Sequence, residues 1–151
     1  MLRTQTSFEE FCGEVQPRLR HAFAARYGYS DGSDATAEAL AYAWEHWDQL
    51  SLMDNPAGYL YRVGRSKTRR IRRSTPVLAP LPANGIPDVE PGLPVALAML
   101  SEHQRVAVTL VVGFGWKLHE VADLLGVSVP TVQSHVKRGM KKLQARIGGA
   151  S

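Results

Sequence analysis

The side chains best suited to recognising another molecule lie on one stretch near the C-terminal end of the chain. Apolar residues recur there at helical spacing, which predicts a helix with one inward-facing stripe. The residues between them are first polar and then basic. Polar side chains near the start of a helix can reach base edges in the major groove, and basic ones further along can contact phosphates. The inner stripe is Val132, Val136, Met140 and Leu143, and the outward residues are Thr131, Gln133, Ser134, Lys137, Arg138 and Lys141.

The residues before this helix predict a DNA-binding helix-turn-helix from Lys117 to Leu143. Gly126 can end a preceding helix in a left-handed conformation, Ser128 is a favoured N-cap, and Pro130 fits a first helical turn. An ordinary helical hairpin with a basic outer face is the alternative, and this turn chemistry disfavours it. The preceding helix is indicated by apolar residues at i, i+3, i+4 and i+7, which are Leu118, Val121, Ala122 and Leu125.

A second candidate surface lies in the N-terminal half, where the charges are segregated along the chain. Tyr27–Tyr61 contains acids but no lysine or arginine, and the residues from Arg62 to Arg73 contain bases but no acid. An acidic surface beside a basic one suggests two different partners, although two solvated helix faces would give the same pattern. The acids include Asp31, Asp34 and Glu38, and the bases include Arg62, Arg65, Lys67, Arg69 and Arg70.

The first helix of the N-terminal half is predicted over Phe8–Arg26. Ser7 and Glu10 have the spacing of a capping box, with Ser7 as the N-cap and Glu10 reaching back to it. Gly28 is placed to end this helix.

Two more helices follow in this half. One is predicted over Asp34–Gln49, with Trp44 and Trp47 on its buried apolar stripe. The next begins with Asn55 as the N-cap and Pro56 at the first helical position, and it continues through the basic run.

A proline-rich segment separates the two halves of the chain. Pro76, Pro80, Pro82, Pro87 and Pro91 oppose regular structure, so Ser74–Gly92 is predicted to be a linker. The second domain begins near Leu93, and Ser101 with Gln104 forms another capping box. The sequence therefore predicts an all-α protein of two small helical domains, residues 1–74 and 93–151, joined by a Pro-rich linker over residues 75–92.

Composition excludes several classes of protein. The hydrophobic fraction of 44% is that of a globular chain, and the net charge of +4 is compatible with nucleic-acid binding. A single cysteine, Cys12, allows no internal disulfide, and no Cys/His set has zinc spacing. No signal peptide, membrane span or hydrolase or phosphate-binding motif is present, so we expect a cytoplasmic protein that is not an enzyme and needs no cofactor or metal.

The sequence resembles the bacterial RNA polymerase sigma factors of the extracytoplasmic-function type, in the sigma-70 family. Leu100–Arg105, Glu120–Ser128 and Thr131–Gly139 are similar to region 4 of that family. Asp31–Trp47 and Asn55–Val63 are similar to its region 2. The helix-turn-helix alone is shared by many regulators, whereas the ordered pair of regions is much more specific.

The resemblance implies a role for each surface. Region 2 would bind core RNA polymerase through its acidic helix and capture unpaired bases of the −10 promoter element, and region 4 would read the −35 element through Thr131–Lys141. Promoter DNA and core polymerase would be the partners, and many members of the family also bind an anti-sigma factor. The residues implied for polymerase are Asp31, Asp34 and Glu38, and those implied for the −10 element are Tyr59, Tyr61, Arg62, Arg65, Lys67, Arg69 and Arg70. Packing in the core is the alternative for Tyr59 and for Tyr61.

A LuxR-type regulator, with a helix-turn-helix and an N-terminal partner-binding domain, is the alternative. It would use the same C-terminal helix. It gives no reason for the Asn55–Arg73 helix or for the acidic segment before it.

Overall fold

The computed structural model describes residues 2–72 and 93–148, and the chain divides into two compact units, Met1–Thr75 and Pro76–Ser151. All regular elements in the described residues are helical, which confirms the all-α fold class. The predicted linker lies outside the described residues.

Over residues 2–72, the N-terminal unit contains four helices: α1 (Leu2–Tyr27), α2 (Tyr29–Glu45), α3 (Trp47–Leu50) and α4 (Pro56–Arg72). Helix α1 begins before Ser7, so the predicted N-cap at Ser7 is wrong. Gly28 separates α1 from α2 with a φ of 92°, a conformation that favours glycine. Because one residue makes this turn, α2 starts at Tyr29 instead of Asp34. Helix α2 ends at Glu45 instead of Gln49, and α3 begins two residues later at Trp47.

Small residues allow the helices of this unit to approach closely. A Cβ atom on Gly32 of α2 would lie 2.7 Å from the backbone nitrogen of Ala24 in α1. Gly64 of α4 faces the ring of Phe23 and the carbonyl oxygen of Ala35 with no room for a side chain. The core of the unit is therefore held by tight backbone packing around a buried aromatic ring.

The start of α4 follows the prediction. The Asn55 side-chain oxygen accepts a hydrogen bond from the Gly58 N–H at 3.0 Å, and Pro56 is the first helical residue. The cap and the proline together fix the residue at which α4 begins.

The C-terminal unit contains α5 (Leu93–Ala98), α6 (Glu102–Val108), α7 (Leu118–Leu125) and α8 (Val129–Gly148). The capping box at Ser101 and Gln104 is confirmed, with each side chain bonded to the other residue's backbone N–H. Helix α6 continues as a π-helical segment, Thr109–Gly113, and Gly115 then turns the chain with a φ of 74°.

Helix α8 lies against α5 and α6 along much of its length. Leu143 joins a buried cluster with Ala96, Leu100 and Val108. Gly139 brings α8 so near α6 that a Cβ atom there would lie 2.6 Å from the Val108 Cγ2 atom. This packing fixes the face that α8 leaves to solvent.

Candidate nucleic-acid interface

The turn between α7 and α8 has the predicted helix-turn-helix geometry. Gly126 ends α7 in the left-handed conformation, with φ 69° and ψ 36°. The Ser128 hydroxyl accepts the Thr131 N–H at 3.3 Å at the start of α8. At the other end of α7, the Glu120 carboxylate accepts the Lys117 N–H at 3.0 Å. Both helices are thus capped, and the predicted helix-turn-helix is confirmed.

The two faces of α8 separate as the sequence predicted. Val132 and Leu143 are buried, and Val136 and Met140 are half-buried. The six predicted outward side chains lie on the opposite face, and four of them are exposed. Gln133, Lys137, Arg138 and Lys141 are exposed, and Thr131 and Ser134 are half-buried.

The Thr131 hydroxyl lies 2.8 Å from the Ser128 hydroxyl, so it is already engaged by the helix cap. This leaves Gln133 as the exposed amide closest to the start of the helix. Its contacts with bases remain a prediction.

Sequence reasoning missed polar contacts that join α8 to α6 beside the buried stripe of α8. The Lys142 ammonium donates to the side-chain oxygen of Gln104, which is buried in α6, at 3.0 Å. His135 stacks on His103 with ring centroids 5.4 Å apart. Burial lowers the pKa of His135, and the neighbouring His103 and Arg138 lower it further. These contacts join α8 to α6 and hold the orientation of the exposed face.

The predicted polymerase-binding acids lie on α2. Asp34 and Glu38 are exposed, and Asp31 is half-buried. Glu38 forms an ion pair with Lys67 of α4, with 3.5 Å between the carboxylate oxygen and the ammonium nitrogen. The two surfaces that the sequence predicted separately therefore meet along the seam between α2 and α4.

Tyr61 corrects one part of the prediction. Its side chain is 1% exposed and stacks on Phe23, with ring centroids 5.1 Å apart. Its hydroxyl accepts a hydrogen bond from the Arg26 guanidinium at 3.4 Å. Tyr61 therefore belongs to the core, and no face of its ring is open to a base in this structure.

The other predicted −10 residues on α4 are placed differently. Arg62 and Lys67 are exposed, and Arg65 is half-buried. Arg69 and Arg70 lie on the last turns of α4, and their side chains are outside the described residues. Tyr59 is half-buried, and its hydroxyl lies 3.3 Å from the hydroxyl of Tyr42 on α2.

Sequence reasoning missed Tyr42 as a neighbour of two predicted −10 residues, Tyr59 and Lys67. It stands at i+4 from Glu38 and at i−4 from His46, so these three share one face of α2. Tyr59 and Lys67 are separated by two such steps on α4. This matched spacing was present in the sequence, but which helix faces which depends on tertiary packing.

The tryptophans give a second correction. Trp44 is 60% exposed instead of buried, although its ring still contacts Phe8 at a centroid distance of 5.1 Å. Trp47 is half-buried and packs on Phe8 and Phe11. Helical periodicity placed Trp44 on an apolar stripe, but α1 covers only one side of that stripe.

Within residues 2–72 and 93–148, no helix is long and apolar enough to cross a membrane. The same residues contain no group of His, Cys, Asp and Glu side chains arranged to hold a metal ion.

Comparison with known proteins supports the resemblance to sigma factors. Residues 93–143, which include the whole helix-turn-helix, match the family model described as sigma-70, region 4. Comparison with curated protein sequences gives no match.

Solved structures that share the fold of the chain include the following two. The sigma factor RpoE from Bartonella quintana, solved in complex with the anti-sigma factor NepR, is 24% identical with a TM-score of 0.65, covering 94% of this chain and 97% of that chain. CnrH, solved in complex with the cytosolic domain of CnrY, is 22% identical with a TM-score of 0.65, covering 97% of this chain and 91% of that chain. The resemblance drawn from the sequence is therefore confirmed in the C-terminal domain and in the fold.

Proposed function

We propose that this chain is a sigma factor of the extracytoplasmic-function type, which binds core RNA polymerase and directs it to promoters. The observation that carries the proposal is the capped helix-turn-helix of residues 117–143. Its segment matches sigma-70 region 4, and α8 presents a polar and then basic face to solvent. The fold shared with RpoE supports it independently.

The C-terminal unit would read the −35 element. Gln133, exposed near the start of α8, is suited to a bidentate contact with an adenine edge. Lys137, Arg138 and Lys141 follow on the same face and would neutralise phosphates, which position the helix without carrying sequence information.

The N-terminal unit would capture unpaired bases of the −10 element. Removing a base from a duplex costs a few kcal/mol of unstacking, which aromatic and cationic groups must offset. Tyr59, Arg62, Arg65 and Lys67 stay in this role, whereas Tyr61 does not. Arg69 and Arg70 stay in it on sequence grounds alone.

Core polymerase would dock on the acidic face of α2, where Asp34 and Glu38 are exposed and Asp31 is half-buried. A sigma factor acts by binding and positioning, so we propose no catalytic activity and no cofactor. A protein with this function would act in the cytoplasm, which is the location we propose. RpoE was solved with an anti-sigma factor, and we propose an anti-sigma factor as a further partner of this chain.

Association with core RNA polymerase separates this function from that of a LuxR-type regulator. The full chain is immobilised and incubated at low salt with core polymerase and, separately, with holoenzyme already carrying another sigma factor. Retention of the core enzyme, and much weaker retention of the holoenzyme, is the expected result. Binding to duplex DNA without retention of the core enzyme would favour the LuxR-type alternative.

A further inference from the structure

Two histidine rings stack where α6 meets α8. His103 lies in the first turn of α6 and is exposed, and His135 lies in the second turn of α8 and is half-buried. Their ring centroids are 5.4 Å apart, and the ring planes are 20° from parallel. We call His103 and His135 the histidine pair. Neither residue belongs to the predicted interface with the −35 element.

The histidine pair borders the face of α8 that is predicted to contact DNA. His135 follows Ser134 and comes three residues before Arg138, and both of these are outward residues of the predicted interface. Gly139, four residues after His135, packs closely against Val108 of α6. His135 therefore lies at the edge where the packed face of α8 meets its outward face. Residues three apart on a helix have about 5–6 Å between their Cβ atoms, so a phosphate bound by Arg138 would also lie near His135.

The groups that act on His135 all disfavour a proton on its ring. Burial lowers the pKa of His135 most, and His103 and Arg138 lower it further. No acid is among the causes of this shift. Of the other helices that pack against α8, α5 has no titratable side chain. The remaining titratable side chains of α6 and α7, and the lysine of α8 that bonds to α6, are not among the causes either: Glu102, Arg105, His119, Glu120, Asp123 and Lys142.

We propose that the histidine pair is a proton-linked contact to duplex DNA, in which His135 gains a proton as phosphates approach the outward face of α8. This inference rests on the proposed function and adds a residue outside the six predicted for the −35 element. A nearby negative charge favours the protonated form of an imidazole, whereas a nearby positive charge disfavours it. Bound phosphates would supply negative charge beside His135, so DNA binding and protonation favour each other.

The sign of the pH dependence follows from this coupling. Because phosphates raise the pKa of His135 in the complex, the complex holds more protons than the free chain, and DNA affinity rises as the pH falls. One proton changes the affinity by at most about tenfold for each pH unit. Salt screens a half-buried site, so we expect binding about 3- to 10-fold tighter at about pH 5.5 than at about pH 7.5. His103 opposes the proton on His135, and its removal should move the rise in affinity toward higher pH.

The test measures DNA affinity against pH for the full chain in complex with core RNA polymerase. Fluorescence anisotropy is recorded at one ionic strength, from about pH 5.5 to about pH 7.5, on a labelled duplex that carries only the −35 segment. His135→Asn can take up no proton, so its affinity should stay at the wild-type value for about pH 7.5 throughout. His135→Arg carries a permanent charge, so its affinity should not depend on pH and should exceed that of His135→Asn about 3- to 10-fold. His103→Asn should shift the wild-type profile toward higher pH.

His21→Asn is the matched control. His21 lies on α1 in the other compact unit, and burial lowers its pKa as it does that of His135, with Arg20 lowering it further. Its replacement should leave the pH dependence of DNA affinity unchanged. Unfolding curves and affinity for core polymerase are recorded for every variant at each pH, so that a loss of folding at low pH is seen directly.

Four results would overturn the inference. The folded wild-type chain would bind the duplex equally well at every pH, or His135→Asn would keep the wild-type pH dependence. Alternatively, the affinity of His135→Arg would still change with pH as that of wild type does, or His103→Asn would leave the profile where it is in wild type. Failure of the proposed function looks different, because the wild-type chain would then form no complex with core polymerase at any pH.

Discussion

Substituting two lysines of α8 one at a time tests whether the salt dependence of DNA affinity comes from a particular phosphate contact or from net charge. Lys137 and Lys142 are both exposed, but the Lys142 ammonium donates a hydrogen bond to the side chain of Gln104 in α6. Lys137→Ala and Lys142→Ala remove the same charge from the same helix. We expect only Lys137→Ala to change how DNA affinity depends on salt.

The magnitude follows from counterion release. Each lysine–phosphate contact on duplex DNA contributes about 0.9 to the slope of log affinity against log salt concentration. Without the Lys137 contact, the affinity lost between about 50 and 200 mM salt should be smaller by a factor of about 3.5, since the concentration ratio of about 4 is raised to the power 0.9. Lys142→Ala should keep the wild-type slope and should lower the stability of the C-terminal unit by about 0.5–1.5 kcal/mol, as one hydrogen bond is lost.

The assay is a titration of the full chain, bound to core polymerase, on one promoter fragment at four or more salt concentrations. Equal slopes for wild type and Lys137→Ala would remove Lys137 from the phosphate contacts. Equal reductions in both variants would show that the slope reports net charge, and the orientation of α8 argued above would then be refuted.

Three further results are expected. Gln133→Ala should relax preference at one base position of the −35 element by about 1–3 kcal/mol in a promoter-library selection, and a uniform loss across the library would contradict a bidentate contact. Gly32→Ala should destabilise the N-terminal unit by about 1–3 kcal/mol in urea unfolding, because the new Cβ would collide with the α1 backbone. Gly13→Ala should stabilise the unit by about 0.5–1 kcal/mol, because a Cβ there would have no atom within 4 Å. Matching signs for the two glycines would contradict the close approach of α1 and α2. Burial lowers the folded-state pKa of His135 below its ordinary value of about 6.5, so the C-terminal unit should keep its full stability above about pH 6.5 and lose part of it as the pH falls from there. His135→Asn should flatten this fall in unfolding measurements, and an unchanged pH profile would refute it.

The C-terminal unit was predictable because its signals are local. Gly126, Ser128 and Pro130 act through the conformation of their own residues, and the capping box of Ser101 acts within one turn. No distant neighbour has to be known to place such features. The outward face of α8 follows in turn from its inner stripe.

The two misplaced aromatic side chains of the N-terminal unit share a different cause. Periodicity assigns a side chain to a face of its own helix, but burial depends on which neighbour covers that face. Tyr61 is buried because its ring stacks on Phe23 and its hydroxyl bonds to Arg26. Trp44 is exposed because α1 covers only one side of its ring. The Tyr42–Tyr59 contact likewise depends on the antiparallel pairing of α2 with α4, which local sequence does not encode.

Transcription by core RNA polymerase supplied with this chain tests the central claim most directly. Purified core enzyme is incubated with a library of genomic fragments, with and without the full chain, and the 5′ ends of the RNA products are mapped. We expect discrete start sites that appear only when the chain is present. Two shared sequence elements should lie upstream of these sites, with nearly constant spacing between the two elements. RNA products identical to those of core enzyme alone, from a chain that is folded and binds duplex DNA, would contradict the account.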